Sequence, residues 1–149
     1  MRIAALAIVL AAVMSLPAFA YDPAKHPAPD PQGSYYERAR VQIQKGNWKR
    51  AAALFEKAVA ENPKNYKALT LLGYSLRHAG QTKAAFAAYD RAVAVNPAYA
   101  EVREYRGIAH AQSGNRKAAM SDYRALLRLG SPLAEDLKAA IDKNESKFN

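Results

Sequence analysis

The chain of 149 residues contains no cysteine. That removes disulfide scaffolds, thiolate metal sites and cysteine nucleophiles together. Histidine is scarce, with His26, His78 and His110 only, too few for a histidine-rich metal cluster and without a second ligand at metal-like spacing. Acidic residues are outnumbered, 13 against 22 lysines and arginines, for a formal charge of +9. None of the seven serines sits in a GxSxG elbow, no glycine stretch matches a nucleotide-binding loop, and no histidine–carboxylate arrangement can be argued. The expectation is therefore a protein that is not an enzyme, with no cofactor and no bound metal. What is present is globular in balance, 50% hydrophobic and 23% charged.

Residues 1–20, MRIAALAIVLAAVMSLPAFA, have Arg2 at the positive end, an apolar run from Ile3 to Leu16, a helix-breaking Pro17 and small residues at Ala18 and Ala20. This is the layout of a secretory signal peptide. A membrane anchor is the rival reading, but the run falls short of the roughly 20 residues a span needs. The expectation is export, to a bacterial periplasm first and to the medium second. Residues 21–33, YDPAKHPAPDPQG, hold four prolines (Pro23, Pro27, Pro29 and Pro31), which forbid helix and inner strand and suit a stiff linker. A ligand for an aromatic-lined groove, or copper capture at His26, are weaker alternatives for this stretch.

From Tyr35 the chain repeats at a fixed interval of 34 residues. Gly46, Gly80 and Gly114 keep it, as do Ala51, Ala85 and Ala119, the aromatics Phe55, Tyr89 and Tyr123, the prolines Pro63 and Pro97, and Gly73 with Gly107. Within a unit, apolar residues recur at three- and four-residue spacing, as in Leu69, Leu72, Gly73 and Leu76, which is helical periodicity. The glycines at 46, 80 and 114 are placed to end a first helix, and Asn47 and Asn115 to cap a second. Gly73 and Gly107, with Ala39 in the first unit, allow close approach between helices, and the aromatics fill the space between pairs.

This pattern resembles the tetratricopeptide repeat, a helix-turn-helix unit of 34 residues. The resemblance implies an all-α fold: a right-handed superhelical α-solenoid of three helix-turn-helix repeats, at about 34–63, 64–97 and 98–131. Arg38 and Gln42 replace apolar residues in the first unit, as suits a terminal repeat facing water. Ser131 and Pro132 open a last helix, 132–147, whose Leu133, Leu137, Ala140 and Ile141 would cover the final hydrophobic edge.

The resemblance also implies a concave groove lined by the first helix of each pair. Its contact positions fall at Tyr36, Arg40, Ile43 and Gln44 in the first unit. The second supplies Lys67, Thr70, Tyr74, Arg77 and His78, and the third Glu101, Glu104, Ile108, Ala111 and Gln112. Such a groove runs from basic and aromatic to acidic and suits an extended peptide or helix. His110 falls at an inward position and reads as packed core. One subgroup of the family grips the acidic C-termini of chaperones in a clamp of lysine, asparagine and arginine. The matching positions here are Tyr36, Arg40, Leu71, Glu101 and Tyr105, of which only Arg40 is cationic, so the clamp is missing.

The implied function is a non-catalytic protein–protein interaction module, a scaffold of the cell envelope binding a peptide or partner protein of acidic character. The excess of cations lies on the repeats, six against three acids in residues 34–63, five against one in 64–97 and six against three in 98–131. That leaves a second reading, a basic surface for anionic lipid or cell-wall polymer. Nucleic acid is not expected, since no groove-reading motif is present. Self-association through an uncovered repeat edge stays open.

Overall fold

A computed structural model describes residues 34–145. The leader expected at 1–20, the linker expected at 21–33 and the last four residues lie outside the described residues. Seven helices follow in chain order among the described residues: α1 (Tyr35–Gln44), α2 (Trp48–Glu61), α3 (Tyr66–His78), α4 (Thr82–Val95), α5 (Ala100–Gln112), α6 (Arg116–Arg128) and α7 (Leu133–Glu145). They pair as α1/α2, α3/α4 and α5/α6, with α7 packed on both α5 and α6. The all-α repeat solenoid is therefore as the spacing predicts.

The turn inside each pair is the same device repeated. Gly46, Gly80 and Gly114 have φ of +70°, +81° and +75°, a left-handed conformation that glycine alone adopts without Cβ strain. Each lets the next amide reach back five residues: Asn47 to the Gln42 carbonyl at 2.9 Å, Gln81 to Leu76 at 2.8 Å, Asn115 to His110 at 2.8 Å. This closes the carbonyls left over at a helix end. Gly130 repeats it before α7, where the Ser131 amide donates to the Leu126 carbonyl at 3.1 Å. The capping expectation holds for Asn115, whose Oδ1 accepts from the Ala118 amide at 3.1 Å. It fails for Asn47, whose side chain instead donates to Gln42 Oε1 at 3.0 Å, so the polar residue at the exposed first repeat captures it.

Packing follows the periodic residues. Ala39, Ala51, Phe55, Ala68, Leu69, Tyr89, Ala92 and Val102 have no exposed surface and form one continuous core through the first two units and onto α5. Ala111, Ala119, Leu126, Ala134, Leu137 and Ile141 form a second around α7. Gly73 and Gly107 are points of closest approach. A Cβ on Gly73 would stand 2.6 Å from two ring carbons of Tyr89, and one on Gly107 would stand 2.5 Å from Leu137 Cδ2. α7 thus does what the sequence predicts of it, with Ala134 added to its buried face; Tyr123, expected to fill space like Phe55 and Tyr89, is only half-buried.

Candidate functional site

Each second helix shields its own first helix from one side, so the first helices make the inner layer. α3 touches α5 directly across the unit boundary, which places the concave face along α1, α3 and α5. On α3, residues at 67, 71, 74 and 78 share a face by helical spacing, and on α5 those at 101, 105, 108 and 112 do the same.

What this face carries is mostly tyrosine. Tyr74 lies 5.2 Å, centroid to centroid, from Tyr105 on the neighbouring helix, and Tyr66 packs edge-on against Tyr99 at 4.9 Å. Trp48, at the start of α2, stacks on His78 at 4.4 Å and meets Tyr74 edge-on at 5.8 Å. Arg77 stands over the Tyr74 ring at 5.4 Å and donates to Gln112 Oε1 at 2.8 Å, tying α3 to α5. All four of Tyr66, Tyr74, Tyr99 and Tyr105 are half-buried, one edge held and the other presented.

The sequence-predicted residues divide under this geometry. Tyr74, Arg77, His78 and Gln112 come together across α3 and α5; Glu101 is exposed and Glu104 half-buried on α5, and Ile108 packs instead against the core around α7. Arg40, 52% exposed, is held in an ion pair with Glu37 at 3.2 Å on its own helix; Gln44 and Lys67 are exposed and Ile43 is half-buried against the core. Tyr36 is half-buried edge-on against Phe55 at 5.7 Å, so one edge of its ring belongs to the core. Thr70 is a correction: it is 1% exposed, and its hydroxyl donates to the Tyr66 carbonyl at 2.8 Å, which makes it part of the helix-packing layer. Ala111 is likewise buried. His110 is not fully packed core; it is half-buried and stacked on Phe86 at 4.3 Å.

Trp48, Tyr66, Tyr99 and Tyr105 were not among the groove residues read from the sequence. Tyr105 had a legible signal, since it stands four residues after Glu101 and three before Ile108 on one helical face. Tyr66 and Tyr99 sit just outside or at the first turn, where a count of helical positions does not reach.

The electrostatics of the face follow from burial. Tyr99 has its phenol pushed up to about 12 by burial, then by Glu101 and by the neighbouring phenols of Tyr36, Tyr105 and Tyr66. Tyr105 is raised by burial and by Glu104. Glu104 is raised by burial, with Asp136 of α7 and Glu101 adding to it. His78 is lowered by burial and by Arg77, which keeps its ring neutral against Trp48 near neutral pH.

A second charged cluster, on α4, α5 and α6, is structural. Asp122 is 1% exposed and takes a two-pronged contact from Arg106, Nη2 to Oδ1 at 2.7 Å and Nε to Oδ2 at 2.9 Å. Arg103 adds a bond at 3.2 Å, and Arg106 reaches Asp90 at 2.7 Å. Among the described residues no group of three metal-ligating side chains is brought together, and no helix is long and apolar enough to cross a membrane.

The architecture defines a class, the helical-repeat solenoid whose first helices line a shared groove. The tetratricopeptide-repeat family model matches residues 36–94 and 80–134, and the chain belongs to that family. No curated protein sequence matches it. The P58(IPK) TPR domain is similar in fold, at 20% identity and a TM-score of 0.66, over 75% of this chain; the chain spans about a third (32%) of that protein's length. PcrH, in complex with the chaperone binding region of PopD, is similar at 18% identity and a TM-score of 0.68, over 77% of this chain and 91% of PcrH. The first TPR domain of Spaghetti (RPAP3), bound to the HSP90 peptide SRMEEVD, is similar at 20% identity and a TM-score of 0.67, over 80% of this chain and 96% of that one.

Proposed function

We propose that this protein is a non-catalytic interaction module that holds an extended segment of a partner protein along the α3–α5 face. The observation that carries the reading is the run of half-buried aromatic rings from Trp48 through Tyr74 to Tyr105, with Tyr66 and Tyr99 beyond. Tyrosine and tryptophan give large rigid contact area at little cost in side-chain entropy, which is why such rings concentrate binding energy. PcrH and the RPAP3 domain, each seen with a segment of another protein, lend support from fold.

The ligand is not an HSP90-type acidic terminus, because Glu101 and Tyr105 stand where that subgroup has cations. An acidic stretch of the partner belongs at the α1 and early α3 end, near Arg40 and Lys67. With the leader read in residues 1–20, the setting we propose is the cell envelope, the periplasm foremost. The rival reading, an anionic lipid or polymer binder, is weakened by Asp122 and Asp90, which engage two of the third unit's six cations, Arg103 and Arg106.

Crosslinking in the native envelope, followed by recapture on wild-type and Tyr74→Ala protein, tests the proposal. Groove recognition requires a captured protein that survives high salt and is lost on Tyr74→Ala. Capture that Tyr74→Ala leaves intact and salt abolishes would assign binding to the basic outer surface.

A further inference from the structure

Of the carboxylates on the described helices, those that touch cations are easily named: Glu37 holds Arg40, Asp90 and Asp122 hold Arg106, and Asp142 holds Lys138. Glu101 and Glu104 hold none among the described residues. The other described carboxylates outside these ion pairs, Glu56, Glu61, Glu135 and Asp136, are exposed, as is Glu101, whereas Glu104 is drawn into the surface. Glu104 is half-buried and faces Asp136, so it gives up hydration and receives only like charge in return. Leaving a charge in that condition is unfavourable unless something outside the chain neutralises it.

The same two carboxylates adjoin aromatic rings. Glu101 stands two residues after Tyr99 and one helical turn before Tyr105, and Glu104 directly precedes Tyr105 on α5; the charge of Glu101 raises both phenols. Tyr66 and Tyr74 hold Tyr99 and Tyr105 in place through edge and tilted contacts. Tyr89 has no exposed surface, and its hydroxyl, with Arg77 beside it, makes no hydrogen bond of full geometry. Arg77, whose charge reaches Tyr105, is already committed to Gln112 and His78 and to the Tyr74 ring.

Ring faces carry negative potential, so tyrosines beside carboxylates attract a cation twice over. A hydrated metal ion is a poor match, because it needs several oxygen or nitrogen ligands and no group of three metal-ligating side chains gathers here among the described residues. A long side chain with an apolar stem and a charged head is a good match.

We propose that the α5 end of the groove is a cation-accepting subsite, in which Tyr99 and Tyr105 flank a lysine or arginine side chain of the partner segment and Glu101 and Glu104 neutralise it. This rests on the groove reading above and adds the chemistry of one ligand position. The partner segment then has opposite polarity at its two ends, acidic toward α1 and basic toward α5, which also sets its direction in the groove.

Random dodecapeptides displayed against the full chain test this. Enriched peptides are expected to carry one lysine or arginine at a fixed distance from an apolar or aromatic residue. Replacing that cation by norleucine should weaken binding about tenfold. The Glu101→Gln/Glu104→Gln protein should lose a similar factor for the parent peptide and nothing further for the norleucine peptide, the sign of a direct pair. Peptides that need Tyr74 but carry no recurring cation, and bind the double Gln variant as well as wild type, overturn the subsite and leave the groove reading standing. Enrichment no greater than on a Tyr74→Ala protein, or binding indifferent to all of these changes, overturns both.

Discussion

At the residue scale, the informative side chains are the ones whose neighbours override their sequence context. His78 looks like one more polar residue on a helix face, yet it stacks on the only tryptophan of the chain. Burial and Arg77 disfavour its protonated form, so its titration lies below the ordinary value of 6.5. Because a charged imidazole quenches an adjacent indole, Trp48 fluorescence should fall on acidification with a midpoint below 6.5, and His78→Asn should abolish the step. The sign for stability is the same for His78 and for His110, which burial also lowers: the unfolded chain takes up these protons first, so stability declines as pH falls through and below 6.5. Asp122 is a different case, a buried carboxylate of α6 that holds Arg103 and Arg106 of α5, with Arg106 reaching on to Asp90 of α4. Its arginines keep 19% and 17% of their side-chain surface, so removing it does not strand them wholly. Asp122→Ala should cost about 3 kcal/mol, at the lower end for a broken buried ion pair, measurable by chemical denaturation.

At the scale of the element, each helix pair is held by one rule of close approach. Gly73 is needed because α3 lies against the Tyr89 ring. Gly73→Ala adds helix propensity of at most ~1 kcal/mol, but the wholly buried ring has nowhere to retreat, and overpacking of this kind costs about 1–3 kcal/mol. A lower melting temperature is expected; an unchanged or higher one would mean that Tyr89 can shift. Where the sequence reading went wrong, it did so at element ends and on helix faces. Asn47 was assigned a cap and bonds Gln42; Thr70 was assigned to the groove and is sealed in. Helical spacing specifies which residues share a face to within about one position, and a residue on the border of two faces goes to whichever neighbour packs closer.

At the scale of the whole molecule, the core is divided. One cluster runs through the first two units and onto α5, and the other joins the end of α5 and α6 to α7, so stability should be that of two coupled segments. Leu137 has no exposed surface and backs onto Gly107. Leu137→Ala should cost about 2–5 kcal/mol and act locally. Trp48 fluorescence, which reports the first two units, and helical circular dichroism, which reports all of them, should then give separate unfolding midpoints. Coincident midpoints would show that the solenoid unfolds as one.

The order, number and length of the helices were legible in the sequence, because turn glycines, capping residues and apolar spacing are local requirements that recur with the period. The seam between first and second helices was legible for the same reason, in Ala39 and Gly73, while Gly107 makes its closest approach to Leu137 of α7. What the tertiary structure alone decided is the composition of the groove. Tyr99 comes from a loop end and Trp48 from a second helix; Tyr105 sits on a legible helical face, but at a position matched by Leu71 and Glu37 in the other units, so the repeat promised no ring there. The repeat constrains only residues that face the same neighbour in every unit, whereas these rings meet across units, at distances set by how the pairs stack.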